Sequence, residues 1–336
     1  MAKFLLRSTL PLIFLIACSP SSRNASSSGT SNNHVQGNIY ANRTQPPVES
    51  LLPVDTSGHD QQDSLLSTKP LSLMDLPQTD DGEVVLSEGF YEADFKSYCL
   101  QPGTPSPSDR DAYRQGPLTS YRRDIVETIL RNSLKRPDLE QRNIQLLLWS
   151  VVSGSDYRKL SWEVQSTAQQ LLTRKQTFEL QGGVMGIVKT VSMALPETGA
   201  TNQMRQLFEM GTNSYEAYER IAVLQQSSQI TRTEIKKDQW YKQPDGYWLR
   251  YFPSSYQHVK IQVYVPKGTI EKNSEAYLLF DPVTMMAIPA NSNSQRLGIG
   301  APVIDVVRKI IQIQRVPPPT KRPPVKSQNP KQVVMK

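Results

Sequence analysis

The segment Ile144–Val152 can be accommodated only inside a folded core. It reads Ile-Gln-Leu-Leu-Leu-Trp-Ser-Val-Val and is apolar on nearly every side of a helix, a pattern typical of helices that are buried all round. Gly154 follows closely and suits the left-handed residue that ends many helices. We therefore predict a central helix that ends at Gly154, with Leu147, Leu148 and Val151 buried.

Residues 87–230 as a whole favour helices. Apolar side chains recur with helical spacing on both sides of the central segment, most clearly between Thr201 and Gln225. Residues 87–117 are the exception, because Pro102-Gly103 and Pro105 interrupt regular structure. We predict a loop-rich lead-in there, followed by a helical bundle.

The spacing of apolar side chains changes to two after residue 230. His258–Val265 alternates cleanly between aliphatic and polar residues, which predicts a strand with one buried face. Around the turn Pro244-Asp245-Gly246 the pattern is that of a β-hairpin. Residues 231–314 are therefore predicted to be β-rich. The predicted fold class is α+β, an N-terminal helical bundle followed by a small antiparallel β-sheet.

Both ends of the mature chain are polar. Residues 18–86 are rich in Ser, Asn, Gln and Pro, and no helical or strand spacing persists in them. Residues 315–336 combine Pro with six basic residues and no acidic one. Segments with so little apolar surface cannot form a core, so we predict a disordered N-terminal tether and a disordered basic tail.

Residues 1–17 have the parts of an export signal. Lys3 and Arg7 supply a positively charged start, and Leu10–Ala17 is a short, mostly apolar run. A helix needs about 20 apolar residues to cross a bilayer. The run therefore predicts a cleaved signal peptide and not a membrane-spanning helix.

The junction Leu15-Ile16-Ala17-Cys18 resembles the lipobox of bacterial lipoproteins, in which a small residue precedes a Cys. The resemblance implies cleavage before Cys18 and lipidation with a diacylglyceryl group and an N-acyl chain such as palmitate. Several acyl chains give stable membrane anchoring. Ser19 stands where an Asp would imply retention in the inner membrane, so the resemblance implies an outer-membrane lipoprotein, with its periplasmic or surface face left open.

Charge and cysteine usage exclude some classes of protein. The formal net charge is +7, but Lys3 and Arg7 belong to the signal and six further basic residues belong to the tail. The folded part is therefore close to neutral, which argues against nucleic acid as a partner. Once Cys18 is lipidated, Cys99 has no partner for a disulfide, and we predict that it is a small buried residue.

Motifs for catalysis or metal binding are weak. His34 and His59 fall in the predicted tether, and His258 lies on the polar face of a predicted strand. Neither a Gly-x-Ser-x-Gly elbow nor zinc-ligand spacing accompanies them. We predict no catalytic residue, no metal and no cofactor. Paired carboxylates remain as an alternative, and the candidates are Glu88, Glu92 and Asp94.

Aromatic side chains are dense between residues 240 and 264. Alternation along the predicted hairpin strand separates two faces, and these carry Trp248, Arg250 and Phe252 on one side and Tyr247, Leu249 and Tyr251 on the other. One face should pack in the core. The face with Trp248, Arg250 and Phe252 is a candidate ligand-binding surface for a sugar or a partner chain. Plain packing is the alternative, since aromatic residues are favoured in strands.

Together these features predict a membrane-anchored envelope lipoprotein that is an interaction or assembly module rather than an enzyme. It would work with envelope proteins in a larger periplasmic or cell-surface complex, and its tail is a candidate for binding acidic envelope polymers. The alternative is a cell-wall or polysaccharide-binding protein or hydrolase that uses residues 88–94 and the aromatic strands at 240–264. A polar cleft joining those two regions would favour the enzyme, and a flat exposed apolar patch would favour the module.

Overall fold

The computed structural model describes residues 68–120, 122–182, 199–272 and 277–303. These ranges all belong to one unit of the chain, Pro53–Lys336. The signal peptide, Cys18, most of the predicted tether and the basic tail lie outside the described residues, so what the sequence indicates about them stays a prediction.

Strands and helices both occur in the described part of the chain. The seven α-helices there are α1 Arg123–Ser133, α2 Gln141–Ser153, α3 Trp162–Leu171, α4 Arg174–Leu180, α5 Gly199–Glu209, α6 Tyr215–Ala222 and α7 Thr269–Lys272. The strands are β1 Leu71–Ser72, β2 Val84–Leu86, β3 Gly89–Cys99, β4 Thr104–Pro105, β5 Tyr113–Pro117, β6 Val223–Leu224, β7 Tyr241–Lys242, β8 Trp248–Ser255, β9 His258–Val265, β10 Leu278–Phe280, β11 Met285–Pro289 and β12 Leu297–Pro302.

Six of these strands close into an antiparallel barrel, in the order β3, β12, β11, β5, β8, β9 and back to β3. The longest seam joins β3 to β9 and runs from the pair Gly89 and Val265 to the pair Lys96 and His258. Closure satisfies the backbone groups that an open sheet would leave at its two edges. The six strands therefore form one continuous wall around a core.

Side chains fill the barrel, as expected for so few strands. On β9, Val259, Ile261 and Val263 are fully buried and alternate with half-buried polar residues, which confirms the alternation predicted from the sequence. Leu249 and Tyr251 of β8 pack in the same core. One face of the predicted hairpin is therefore core, as expected.

Helix α2 is the central helix of the helical layer. Leu147, Leu148 and Val151 are fully buried, and the helix packs against α3, α5 and β3. Gly154 ends it in the left-handed conformation, with φ 67°. The prediction of a buried helix ending at Gly154 is confirmed. Among the described helices, none combines the length and the apolar character needed to cross a membrane.

A buried side-chain amide docks helix α2 onto the barrel. Gln145 Nε2 donates to the backbone oxygen of Cys99 at 3.0 Å, and Gln145 Oε1 accepts from the backbone nitrogen of Cys99 at 2.9 Å. Cys99 itself is fully buried, as predicted. Burial raises the pKa of its thiol to about 12, so the side chain is a packing residue at neutral pH.

The predicted order of a helical bundle followed by a small sheet is wrong. Strands β3 and β5 precede the helices and β8 follows them, so α1–α6 are inserted between two parts of one barrel. The lead-in predicted at residues 87–117 contains β3 and β5, and Pro102 and Pro105 fall in the connection between them. Gly89–Cys99 does alternate like a strand, but its pairing with β9 is distant in sequence and no local pattern reports it.

The folded part begins before residue 87. Strand β1 pairs with β3, Leu73–Asp75 forms a short 3-10 helix, and β2 pairs with β10. Leu73, Val84 and Leu86 are buried in the main core. These apolar residues are too few and too widely spaced to predict an element on their own, and contacts with distant strands order them.

Candidate functional site

Strands β3, β9 and β8 are neighbours in the barrel, and their outward side chains form a surface that we call the outer wall. Their register arranges these side chains in rows across the three strands, which are Phe90, Tyr264 and Trp248, then Glu92, Gln262 and Arg250, then Asp94, Lys260 and Phe252, and finally Lys96 and His258. The acidic cluster and the aromatic face predicted from separate segments therefore meet. Glu92 and Gln262 are 170 positions apart, which is why local patterns cannot join them.

The first row is a packed aromatic cluster. Phe90 and Trp248 are buried together with Trp240, a residue of the segment that precedes β7, and Tyr264 packs against them. The ring centroid of Trp240 lies 5.8 Å from that of Phe90 and 6.3 Å from that of Tyr264. Aromatic pairs prefer such separations and edge-on or tilted geometry. This end of the outer wall is therefore covered by the chain itself.

Arg250 is held in an aromatic cage within the second row. Its guanidinium carbon lies 4.2 Å from the ring centroid of Trp240 and 5.3 Å from that of Phe252. Arg250 Nε donates to Gln262 Oε1 at 2.6 Å, and Nη1 donates to the backbone oxygen of Asp238 at 3.1 Å. Burial lowers the pKa of Arg250, while the nearby carboxylates of Asp238 and Glu92 act in the opposite sense. Such a cation is stabilised by ring faces and hydrogen bonds together.

The residues predicted to bind a ligand thus occupy two environments. Trp248 and Arg250 are buried, and only Phe252 is half-buried. Trp248 and Arg250 both pack against Trp240, and Arg250 also contacts the ring of Phe252. They do not form an open stacking platform on the described surface, and the face is more a packed layer than a flat receptor for a sugar.

Paired carboxylates and basic side chains run from the second row to the last, and we call this arrangement the charged ladder and define it as Glu92, Asp94, His258 and Lys260. Lys260 Nζ lies 3.7 Å from Glu92 Oε1, and His258 Nε2 lies 3.3 Å from Asp94 Oδ1. Each basic group thus reaches diagonally to a carboxylate on the neighbouring strand. The four side chains keep between 32% and 40% of their surface exposed. The charged ladder is therefore an open, solvated part of the outer wall.

Ser254 extends this arrangement. Its Oγ lies 2.9 Å from His258 Nδ1, so Ser254, His258 and Asp94 form a line of the residue types used by serine hydrolases. A hydrolytic triad works in a site that excludes water and supplies oxyanion donors. Here Ser254 is exposed, and His258 and Asp94 expose 37% and 39% of their side chains. The geometry fits a surface hydrogen-bond chain better than a nucleophilic site.

Glu88, the third residue of the predicted acidic cluster, lies apart from the ladder. Its Oε1 accepts a hydrogen bond from the backbone nitrogen of Gly268 at 2.5 Å. Glu88 thus binds the turn that follows β9, where Gly268 has a positive φ of 76°. The structure gives it a local role in fixing that turn.

A polar cluster that the sequence did not reveal lies at the turn between β8 and β9. Tyr256 donates to a carboxylate oxygen of Glu219, and the hydroxyls of Tyr256 and Tyr215 are 2.9 Å apart. Gln257 Nε2 donates to both hydroxyls at 3.1 Å. Burial is the main cause that raises the pKa of Tyr256 above its ordinary range. The cluster ties helix α6 to the hairpin, and only tertiary contacts bring its members together.

Neither a search for metal ligands among the described residues nor comparison with known proteins adds a candidate site. Among the described residues, no group of three or more His, Cys, Asp or Glu side chains is placed to hold a metal ion. Comparison of the chain with protein-family models, with curated proteins and with solved structures yields no match.

Proposed function

We propose that the protein is a lipid-anchored, non-enzymatic interaction module of the bacterial envelope, and that its charged ladder meets an envelope partner. The Cys18 lipobox supports the anchor and the outer-membrane location. The observation that carries the interaction is that Glu92, Asp94, His258 and Lys260 are paired with one another yet each stays about one-third exposed.

Exposed ion pairs are suited to exchange of partners. Each contributes only about 0–1 kcal/mol to stability, so a partner can replace one member at little energetic cost. Acidic and basic side chains that alternate in a fixed register favour a complementary surface and disfavour a wrong one. The barrel strands hold these four side chains in place, which limits the entropy lost on binding.

The same features weigh against acid–base catalysis. A catalytic carboxyl group needs a cleft and a raised pKa. The carboxylates of the charged ladder lie on the outward face of a closed barrel, and each contacts a basic side chain. A partner surface is the better use of this geometry.

Site-specific photo-crosslinking in intact cells tests the interaction. A photoreactive amino acid is placed at Lys96, which lies opposite His258 in the strand register, and at the exposed Lys135, which is outside the outer wall. We expect a discrete crosslinked species from position 96 only, reduced at least fivefold by Asp94→Lys. Asp138→Lys is the matched control, because it also reverses a carboxylate in an exposed ion pair. Equal crosslinking from both positions, or no effect of Asp94→Lys, would contradict the proposal.

The anchor is tested separately. Cys18→Ala should block both lipidation and cleavage, because the thiol is the group that accepts the lipid, and it should leave a larger precursor on a gel. Ser19→Ala is the matched control, which keeps the lipobox cysteine and should be processed. Normal processing of the Cys18→Ala protein would refute the anchor.

A surface hydrolase is the second candidate, because Ser254, His258 and Asp94 lie in line within hydrogen-bond reach. It would act on an ester, such as an ester group carried by an envelope polysaccharide. Ser254→Ala should then abolish turnover of an activated ester by the purified protein. Turnover that is absent in the wild type, or equal in both proteins, excludes this role.

A further inference from the structure

A small polar cavity lies away from the outer wall. It has a volume of about 280 Å³ and opens between the β11–β12 loop and the two-stranded sheet of β4 and β6. The polar side chains that matter for its chemistry come from both sides, and they are Thr104, Gln226, Ser292, Asn293, Ser294 and Arg296. None of these belongs to the outer wall, so the cavity is an independent feature.

The loop that forms one side of the cavity is held rigidly. Asn291 is buried, with Oδ1 accepting from the backbone nitrogen of Ala112 at 2.9 Å and Nδ2 donating to the backbone oxygen of Arg110 at 3.1 Å. The Tyr113 hydroxyl donates to Ser294 Oγ at 3.0 Å. Ser294 is only 2% exposed. Ser294 Oγ in turn lies 2.8 Å from the Oγ of Ser292, a half-buried residue of the lining. The hydroxyl of Ser292 is therefore held in place before any ligand arrives, which lowers the entropic cost of binding.

Gln295, between two lining residues, has an acceptor that the described protein atoms do not satisfy. Gln295 is fully buried, and its Nε2 donates to the backbone oxygens of Thr104 and Ala222, both at 3.3 Å. Its Oε1 has no hydrogen-bond partner among the described residues. Buried polar atoms are nearly always paired. Gln295 is not itself part of the lining, and its amide nitrogen binds the backbone of the lining residue Thr104, which fixes the β11–β12 loop against β4.

Arg296 gives the cavity its charge. Its side chain is exposed and lines the cavity, and no ion pair or side-chain hydrogen bond engages its guanidinium in the described part of the chain. The lining contains no Asp or Glu. A guanidinium presents a planar fork that matches a carboxylate with two hydrogen bonds. The charge and shape of this group therefore favour an anionic ligand with a carboxylate.

The neutral lining indicates the rest of the ligand. Ser, Thr, Asn and Gln side chains each donate and accept hydrogen bonds, as sugar hydroxyls do. The volume of about 280 Å³ lies just below the range of drug-sized ligand cavities, which starts at about 300 Å³, so the cavity suits one ring and not an extended chain. We propose that this cavity binds an acidic sugar residue, with its carboxylate on Arg296 and its hydroxyls on the serine and amide side chains.

Calorimetric titration of the full mature protein tests the site. Glucuronate is the probe, and glucose is the neutral control of the same size. We expect saturable glucuronate binding, at least tenfold weaker binding of glucose, and at least a tenfold loss of glucuronate affinity in Arg296→Gln. Arg296→Lys keeps the positive charge but not the planar guanidinium, so its glucuronate affinity should lie between those of the wild type and Arg296→Gln. Arg220→Gln removes an exposed arginine outside the cavity and should bind like the wild type.

Two further arms complete the test. Ser292→Ala changes a partly exposed hydroxyl and should weaken glucuronate binding severalfold, with circular dichroism confirming that the variant is folded. An oligosaccharide that ends in glucuronate distinguishes two sources of the ligand. If it binds as tightly as free glucuronate, the ligand is the end of a polymer. If only free glucuronate binds, the ligand is a small metabolite. Absence of saturable glucuronate binding, or equal affinity in the wild type and Arg296→Gln, overturns the proposal.

Discussion

The caged arginine of the outer wall allows a quantitative test of what holds strands β8 and β9 together. Arg250 is 7% exposed, stacks on Trp240 and Phe252, and donates to Gln262. Arg250→Met keeps an unbranched apolar stem and removes the charge and the hydrogen bonds. Arg250→Ala also removes the stem.

The magnitude follows from the lost contacts. The hydrogen bond from a charged donor to Gln262 is worth about 1.5–3 kcal/mol, and the stacking on two rings about 0.5–2 kcal/mol. Part of this lost stability is recovered, because the Met variant no longer has to remove a cation from water when it folds. We expect Arg250→Met to lower the free energy of unfolding by about 2 kcal/mol. Arg250→Ala should cost about 4 kcal/mol, since it also leaves a cavity.

Urea unfolding followed by circular dichroism measures these differences in the mature chain. Arg220→Met is the control, because an exposed arginine should change stability by less than about 0.5 kcal/mol. Equal or greater stability of Arg250→Met relative to the wild type would refute the reasoning. It would mean that the cost of burying the cation outweighs everything the cage contributes.

Three other predictions use different parts of the chain. Leu148→Ala should lower the free energy of unfolding by about 2–5 kcal/mol, because a fully buried side chain leaves a cavity, and a change below about 0.5 kcal/mol would show that helix α2 is peripheral. Burial raises the pKa of Cys99 to about 12, so its thiol stays protonated below that pH and should resist a thiolate-selective reagent at about pH 8 until urea unfolds the protein; fast labelling of the native state would contradict this. Deletion of residues 316–336 should reduce retention on isolated envelope fragments at low salt only, since exposed attractions are screened beyond about 8–10 Å at physiological salt. Equal retention of both forms at low salt would mean that the tail does not bind acidic envelope polymers.

Local patterns in the sequence were sufficient for individual elements. The apolar run Ile144–Val152 predicted the buried helix α2, and Gly154 predicted its end, because both depend on residues within a few positions of one another. The two faces of His258–Val265 were likewise predicted from their period of two. What such patterns encode is which side of an element avoids water.

Tertiary structure decided how those elements combine. The closing seam joins Gly89–Cys99 to His258–Val265, and hydrogen bonds between distant backbones leave no signal in either segment. The order of a helical bundle followed by a sheet was therefore wrong, and the strand Gly89–Cys99 lies in a region that was predicted to be a loop-rich lead-in. A barrel interrupted by helices and a helical bundle followed by a sheet both contain helices and strands with the usual spacing of apolar residues, so that spacing does not distinguish the two folds.

The candidate sites divide in the same way. The sequence indicated Glu92, Asp94 and Arg250 as candidate site residues, but only the register of β3, β9 and β8 places them on one surface. Tyr256 and Glu219 come from a turn and a helix, and no spacing rule connects them. A site depends on distances between atoms, and those distances are set by strand pairing and packing after the chain has folded.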